Sequence, residues 1–257
     1  MVMVELKTAG EIDAMREAGR VVAAALAAAR DAAAVGVSLR EIDAAAAAAL
    51  ADAGAQPAFL GYHPNWAPTP FPGVICASVN DAVVHGIPEG PRLADGDLVS
   101  IDCGAFVDGW CGDAAISFVV GDADPEDLRL IADTDEALAR GIAAARAGNR
   151  LGDIADAIGS FARSRGRGVL ADHGGHGIGR AMHEDPDVPN EGPAGRGMRL
   201  RPGLVLALEP MLIRGGGDDY RHDADGWTLR TLDGSRAAHS EHTIAVTVDG
   251  PLVLTAV

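Results

Sequence analysis

The sequence predicts an α+β domain built from two similar halves with a cleft between them. Three observations predict it. The order helix, helix, strands occurs twice along the chain. The stretches "SLREIDAAAAAALADAGA" from Ser38 and "NRLGDIADAIGSFARSRG" from Asn149 hold matching places, roughly 110 residues apart. Each helical pair is followed by short apolar runs with strand patterning: "GVICASV" and "SIDCGAFVDGWCGDAAISF" in the first half, "GLVLALEPMLI" and "HTIAVTV" in the second. We read one domain over 1–257, an old duplication with halves over about 8–121 and 122–257.

Taken in order, Thr8 and Glu11 have capping-box spacing and open a helix to about Val35, with Ile12, Met15, Val22 and Leu26 inward. Ser38 and Glu41 repeat the box and open a second helix, stopped at Gly54 by a residue that tolerates the left-handed cap. Residues 56–73 hold five prolines and form a loop. Asp108-Gly109 turns the next strand into a hairpin, because Asp-Gly favours the left-handed conformations of a tight turn. Asp124-Pro125 is an N-cap with proline at the first helical position, opening a third helix to about Gly148. A fourth ends near Gly166.

Composition narrows the function. The net charge of −16 disfavours binding to a nucleic-acid backbone, which needs clustered Lys and Arg. The three cysteines, Cys76, Cys103 and Cys111, form no CxxC pair, which disfavours a disulfide framework or a thiolate zinc site and suits a reducing cytoplasm. The first residues show no basic segment followed by an apolar run, so no signal peptide is expected. No apolar run reaches the ~20 residues of a membrane span.

Chemistry enters with two aspartates inside the hairpin. Folding at Val107-Asp108-Gly109 brings Asp102 and Asp113 opposite or nearly opposite, on one face. Two carboxylates that close repel unless one is protonated or a cation lies between them; the bland alternative is a pair of solvated acids. Further candidates stand in apolar or Gly-rich surroundings: Glu209 in "VLALEPML", Glu241 in "SEHTIAVTV", His176 and His183 in "GGHGIGRAMHEDP", His85 in "VNDAVVHGIP". Singly, each has a structural reading. As a set, four carboxylates balance two divalent cations, and carboxylate with imidazole suits Mn, Fe(II), Co or Zn. Paired cations can draw a nucleophile from water near neutral pH.

The motifs "SVNDAVVHGIP", "SIDCG", "DGWCGDAA", "GHGIGRAMHEDPDVPN", "LALEPM", "DGWTLRT" and "EHTIAVT", from about Gly61 to Thr247, together resemble those of type I methionine aminopeptidase. The resemblance implies the pita-bread fold and a cytoplasmic enzyme that removes the initiator methionine from new polypeptides. Carried over by position, it implies that Asp102, Asp113, His176, Glu209 and Glu241 hold two divalent ions (Co, Mn, Fe(II) or Zn). Asp113 and Glu241 would bridge both, Asp102 would hold one, and His176 with Glu209 the other. Glu209 would move the proton, and His85 and His183 would hydrogen-bond the substrate and its tetrahedral intermediate. Tyr62, Phe71, Cys76 and Trp227, joined by Phe59 and Met182, would line the methionine pocket. The partners implied are chain N-termini with Met followed by a small residue, with the ribosome a candidate partner, no direct nucleic-acid or membrane contact, and a monomeric enzyme. The loop "HPNWAPTPFPG" is longer than the family's common form, and Met182 stands where an aromatic is common. Glu209 and Glu241 are too close in sequence for the helical insertion of type II enzymes. Rival readings are an Xaa-Pro dipeptidase, a non-catalytic pita-bread protein and a two-metal phosphoesterase.

Overall fold

The computed structural model describes residues 4–256. Helix α1 runs Ala9–Ala32 and α2 runs Leu39–Asp52. Both start on the expected capping boxes: the Thr8 and Ser38 N–H groups donate to Glu11 and Glu41 at 2.7 and 2.9 Å. Ile12, Met15, Val22 and Leu26 are buried as their spacing requires. Helix α3 is Pro125–Ala144, capped by Asp124, and α4 is Leu151–Ser164. The helices end up to four residues before the expected limits at Val35, Gly54, Gly148 and Gly166, where chain-reversing turns begin. Among the described residues, no helix is long and apolar enough to cross a membrane.

The strands of the first half are β1 (Gln56–Pro57), β2 (Cys76–Val79), β3 (Ala82–Val84), β4 (Asp97–Val107) and β5 (Trp110–Val120). Those that follow α4 are β6 (Gly168–Val169), β7 (Gly174–Gly177), β8 (Glu184–Pro189), β9 (Val205–Leu208), β10 (Met211–Ile213), β11 (Tyr220–His222), β12 (Leu229–Thr231), β13 (Ala237–His239), β14 (Glu241–Thr247) and β15 (Gly250–Val253). A nine-stranded sheet runs β1-β4-β5-β14-β9-β7-β8, with β2 added to β4 and β15 to β14. Two three-stranded sheets, β13-β10-β6 and β11-β12-β3, complete the fold. The stretch "GLVLALEPMLI" is therefore two strands in different sheets, because Pro210 has no N–H for the ladder.

Strand alternation decides which side chains meet the helices. On β4, Val99, Ile101, Cys103 and Ala105 join Val22, Leu26, Ile42 and Leu50 of α1 and α2 in one core cluster. On β9 and β14, Leu206, Leu208, Ile244 and Val246 join Leu130, Leu138, Ile154 and Ile158 of α3 and α4 in another. A period of two then puts Asp102 on β4 and Glu241 on β14 on the opposite face, away from the helices. Asp113 of β5 likewise faces away from its neighbour Ala114, which packs into the first cluster. The β5–β14 pairing, Glu241 beside Ala115 and His242 beside Ala114, joins the two helix-covered parts of the sheet.

Candidate active site

On the sheet face away from the helices lies a cavity of about 330 Å³. Its walls include every side chain singled out from the sequence: Asp102, Asp113, His176, Glu209 and Glu241; His85 and His183; Phe59, Tyr62, Phe71, Cys76, Met182 and Trp227. Trp66 lines it too. The carboxylates come from β4, β5, the β9–β10 junction and the start of β14; His176 lies on β7.

The hairpin register places Asp113 opposite Gly104 and Asp102 opposite Ala115. The two aspartates are diagonal neighbours on one face, offset by two positions from direct opposition, because the turn contains only Asp108 and Gly109. Gly104 makes room for the carboxylate: a Cβ there would stand 2.9 Å from the Phe59 ring and 3.1 Å from Asp113 Oδ1. Thr243, fully buried on β14, holds Asp113 at both ends of its peptide unit. Its hydroxyl accepts from the Asp113 N–H at 3.0 Å and donates to the Asp113 carbonyl at 2.8 Å. Thr243 carries no motif of its own in the sequence.

His176 lies between glycines on a strand pressed from both sides. A Cβ on Gly175 would be 2.1 Å from the Ala207 carbonyl oxygen, so only glycine permits this approach of β7 to β9. The His176 Nδ1–H donates to the Gly177 carbonyl at 2.8 Å, which leaves Nε2 with a free lone pair, 3.6 Å from Glu209 Oε1. Asn190 fixes the Glu209 backbone by donating to its carbonyl at 3.0 Å. Asp113, His176 and Glu241 each offer an atom within 4.8 Å of the others.

Burial sets the protonation of this cluster. It pushes the Asp113 carboxyl up to about 7. Burial, then the charge of Asp113, holds Glu209 well above the usual carboxylate range. Burial followed by the charges of Asp113 and Glu209 does the same to Asp102 and to Glu241. Burial and the neighbouring His183 lower His176 to about 4, so its imidazole is neutral at pH 7. The buried atoms Asp102 Oδ1, Asp113 Oδ1 and Glu241 Oε1 have no hydrogen-bond partner. Orphaned buried acceptors are costly and rare. Three of them converging beside an imidazole lone pair fit divalent cations, and the oxygen-rich donor set fits the harder ones.

His239, which no sequence motif singled out, is buried with Nε2 3.8 Å from both Glu209 Oε2 and Glu241 Oε2. Burial, then His85, lowers it to about 3, so it is a neutral imidazole beside the carboxylates. The signal available in the sequence was the alternation of His239 with Glu241, which puts both on one side of an extended run. His85 takes a left-handed backbone, φ 58°, uncommon for a residue with a Cβ, and its buried Nδ1 has no partner. His183 Nδ1 lies 3.1 Å from the Tyr62 hydroxyl.

The other end of the cavity is apolar. Phe71 meets Phe59 edge-on at 6.4 Å and Trp227 at 5.1 Å. Cys76 is a free, buried thiol opposite Asp102 across the β2–β4 ladder. Burial, then the charge of Asp102, pushes its pKa well up, so it behaves as a small apolar group. The loop carrying Phe71 is closed at its neck by Gly61 N–H to the Phe71 carbonyl at 2.8 Å and Phe71 N–H to the Tyr62 carbonyl at 2.9 Å. Trp227 Nε1–H ties it down by donating to the Thr69 carbonyl at 3.0 Å.

The sequence profile of metallopeptidase family M24 matches residues 13–248. The chain belongs to this family. M24 membership makes it a metal-dependent hydrolase with the pita-bread fold, whose two helix-backed halves flank the cleft just described. It is 54% identical to methionine aminopeptidase 1 of Mycobacterium tuberculosis, covering 98% of this chain and 95% of that one. It is 42% identical to methionine aminopeptidase 1 of Bacillus subtilis, over 99% of this chain and all of that one. The crystal structure of methionine aminopeptidase from Thermotoga maritima superposes with a TM-score of 0.94 at 39% identity, covering 99% of this chain and all of that chain.

Proposed function

We propose that this protein removes the N-terminal methionine from polypeptides by hydrolysing the first peptide bond, with Asp102, Asp113, His176, Glu209 and Glu241 holding two divalent cations. Bound there, the cations supply Lewis-acid polarisation of the first peptide carbonyl and acidify water to a nucleophile near neutral pH. Four carboxylates against two divalent ions leave the site neutral, which supports the count. Asp113 and Glu241 lie diagonally across the β5–β14 seam, each with an oxygen within 4.8 Å of the other, which supports their sharing the ions.

The chain's own groups do the rest. Glu209, with Oε1 3.6 Å from His176 Nε2 at the cavity wall, accepts the proton that water loses and delivers it to the leaving amine. With Tyr62 O–H donating to His183 Nδ1, the His183 Nε2–H is left as a donor for the oxygen that gains negative charge. His85, with its buried unpartnered Nδ1, supplies the second polar contact to the peptide. Phe59, Tyr62, Phe71, Cys76, Met182 and Trp227 take the methionine side chain, whose thioether packs well on aromatic rings. The enzyme acts in the cytoplasm on chains with a small second residue, and its halves divide near residue 121.

The observation that carries this reading is the junction, in one cavity, of orphaned buried carboxylates with an aromatic pocket. The test is incubation of the purified protein with Mn or Co and a Met-Ala-Ser peptide. Free methionine is the expected product. Cleavage only before proline, or no turnover with any divalent metal, overturns it.

A further inference from the structure

Beside the carboxylate-lined cavity lies a second one of about 410 Å³, lined by Trp66, His85, His173, His222, Gly226 and Leu229. Trp66 and His85 border both cavities, so the two adjoin at these rings. The Trp66 indole stacks on the His85 imidazole, centroids 6.1 Å apart and planes 26° apart, and meets Trp227 edge-on at 4.9 Å. It nevertheless stays 56% exposed. Across from it, His173 stands 6.4 Å from His85, its ring fixed by Nδ1 contact with the Ala171 carbonyl at 2.8 Å. Gly226 closes the floor against the proline-rich loop: a Cβ there would be 2.3 Å from Pro68 Cγ.

Trp66, His173 and His222 have no part in the proposed hydrolysis, although a role for them in holding the peptide rests on that reading. With methionine in the aromatic end and its carbonyl at the carboxylates, the remainder of the peptide has to leave the cavity. The side bordered by His85, where a buried nitrogen awaits a partner, opens onto the second cavity. One extended residue covers ~3.5 Å, so the second residue passes His85 and the third arrives among Trp66, His173 and His222.

We propose that the second cavity is a binding subsite for the third residue of the substrate, roofed by Trp66, and that it favours a planar side chain. An indole held by ring contacts yet half open to solvent presents a face for such a group, and the imidazoles opposite present another. The loop that carries Trp66 is closed at its neck, tied at Thr69, and turned around the indole by Ala67 N–H donating to the Pro64 carbonyl at 3.0 Å, so Trp66 sits on a tight turn and its ring is held over the second cavity by these ring contacts.

The test uses the metal-loaded protein and two peptide amides, Met-Ala-Phe and Met-Ala-Gly. The expected ratio of kcat/KM favours the Phe peptide by roughly threefold to tenfold, as for one added aromatic contact. Trp66→Ala brings that ratio to about one, Trp66→Phe retains most of it, and His222→Ala, on the opposite wall, reduces it. No preference in the parent, or a preference that survives Trp66→Ala, overturns the proposal. A second readout needs no turnover: titration with Ala-Phe amide quenches indole fluorescence saturably, more tightly than Ala-Gly amide, and Trp66→Ala loses the difference. Equal titration by both amides overturns the subsite. If the parent releases no methionine from either peptide, the assigned reaction falls, while the fluorescence titration still decides the subsite.

Discussion

The β4–β5 hairpin and the loop over 61–73 face each other across the same cavity, and they hold their side chains by opposite means. In the hairpin, a full ladder of eleven registered pairs from Asp97–Val120 to Val107–Trp110 fixes Asp102 and Asp113. The loop has five prolines nearby, two backbone bonds at its neck and one tryptophan latch, and it carries Tyr62, Trp66 and Phe71. Charges brought together against their repulsion need the stiff support, since a small relaxation would separate them. Apolar recognition tolerates a looser frame, because packing energy is spread over many weak contacts.

If that division holds, damage on the hairpin side abolishes chemistry and damage on the loop side weakens recognition. The largest effect is expected of Asp113→Asn, which removes a carboxylate charge from the proposed metal cluster: methionine release falls to background and metal content toward zero by elemental analysis. Full occupancy by two ions in that variant would sink the ligand assignment. His183→Ala comes next. It keeps the metals and lowers turnover on the order of 10²–10³-fold, as for loss of one oxyanion donor; unchanged kinetics would remove its transition-state role. On the loop side, Phe71→Leu raises KM for a Met peptide roughly twofold to tenfold while metal content stays at the parent level. Loss of metal in that variant would erase the contrast between the two regions.

The smallest effect is read in the metal-stripped protein. From about pH 7.5, a full unit above the ordinary histidine value of 6.5, the buried histidines are almost entirely neutral in both folded and unfolded chains and contribute little slope. Asp113, raised from 3.8 to about 7, and Asp102, Glu209 and Glu241, also raised, bind protons in the fold that the unfolded chain has lost. Their stabilisation is therefore lost as pH rises through the folded values. Thermal unfolding between pH 7.5 and 9 should show Tm falling, by about 2–4 °C for each kcal/mol lost, and added Mn should restore more at pH 9 than at pH 7.5. A Tm that rises over this window would show the carboxylates to be ionised and otherwise compensated. Below about pH 7.5 the buried histidines act increasingly with the opposite sign, because the unfolded chain then gains protons that the fold refuses.

Much of this was legible in the chain itself, and what was not has physical reasons. Thr8, Ser38 and Asp124 announced helix starts because capping is local. The Asp108-Gly109 turn announced the hairpin, and alternation then put both aspartates on one face. The two-position offset between Asp102 and Asp113 was not legible, because it depends on how many residues the turn leaves unpaired. The run "GLVLALEPMLI" read as strand-like, with Glu209-Pro210 a candidate strand end; the missing proline N–H does end β9 there and splits the run between two sheets. Thr243 reaches the site through the pairing of β14 with β5, and His239, at the end of β13, is held by backbone hydrogen bonds with Ser117 Oγ of β5; both contacts join residues more than a hundred positions apart, to which no local pattern points. Trp66 had no periodicity to place it, since its loop has none.

Trp227 stands in the wall of the cavity while its indole nitrogen fastens the Thr69 carbonyl of the facing segment. One side chain thus sets both the shape of the recess and the position of its cover. Any replacement chosen to admit a different first residue would also unbolt the cover, so altered selectivity at this position would have to be accompanied by a new anchor for the segment around Thr69.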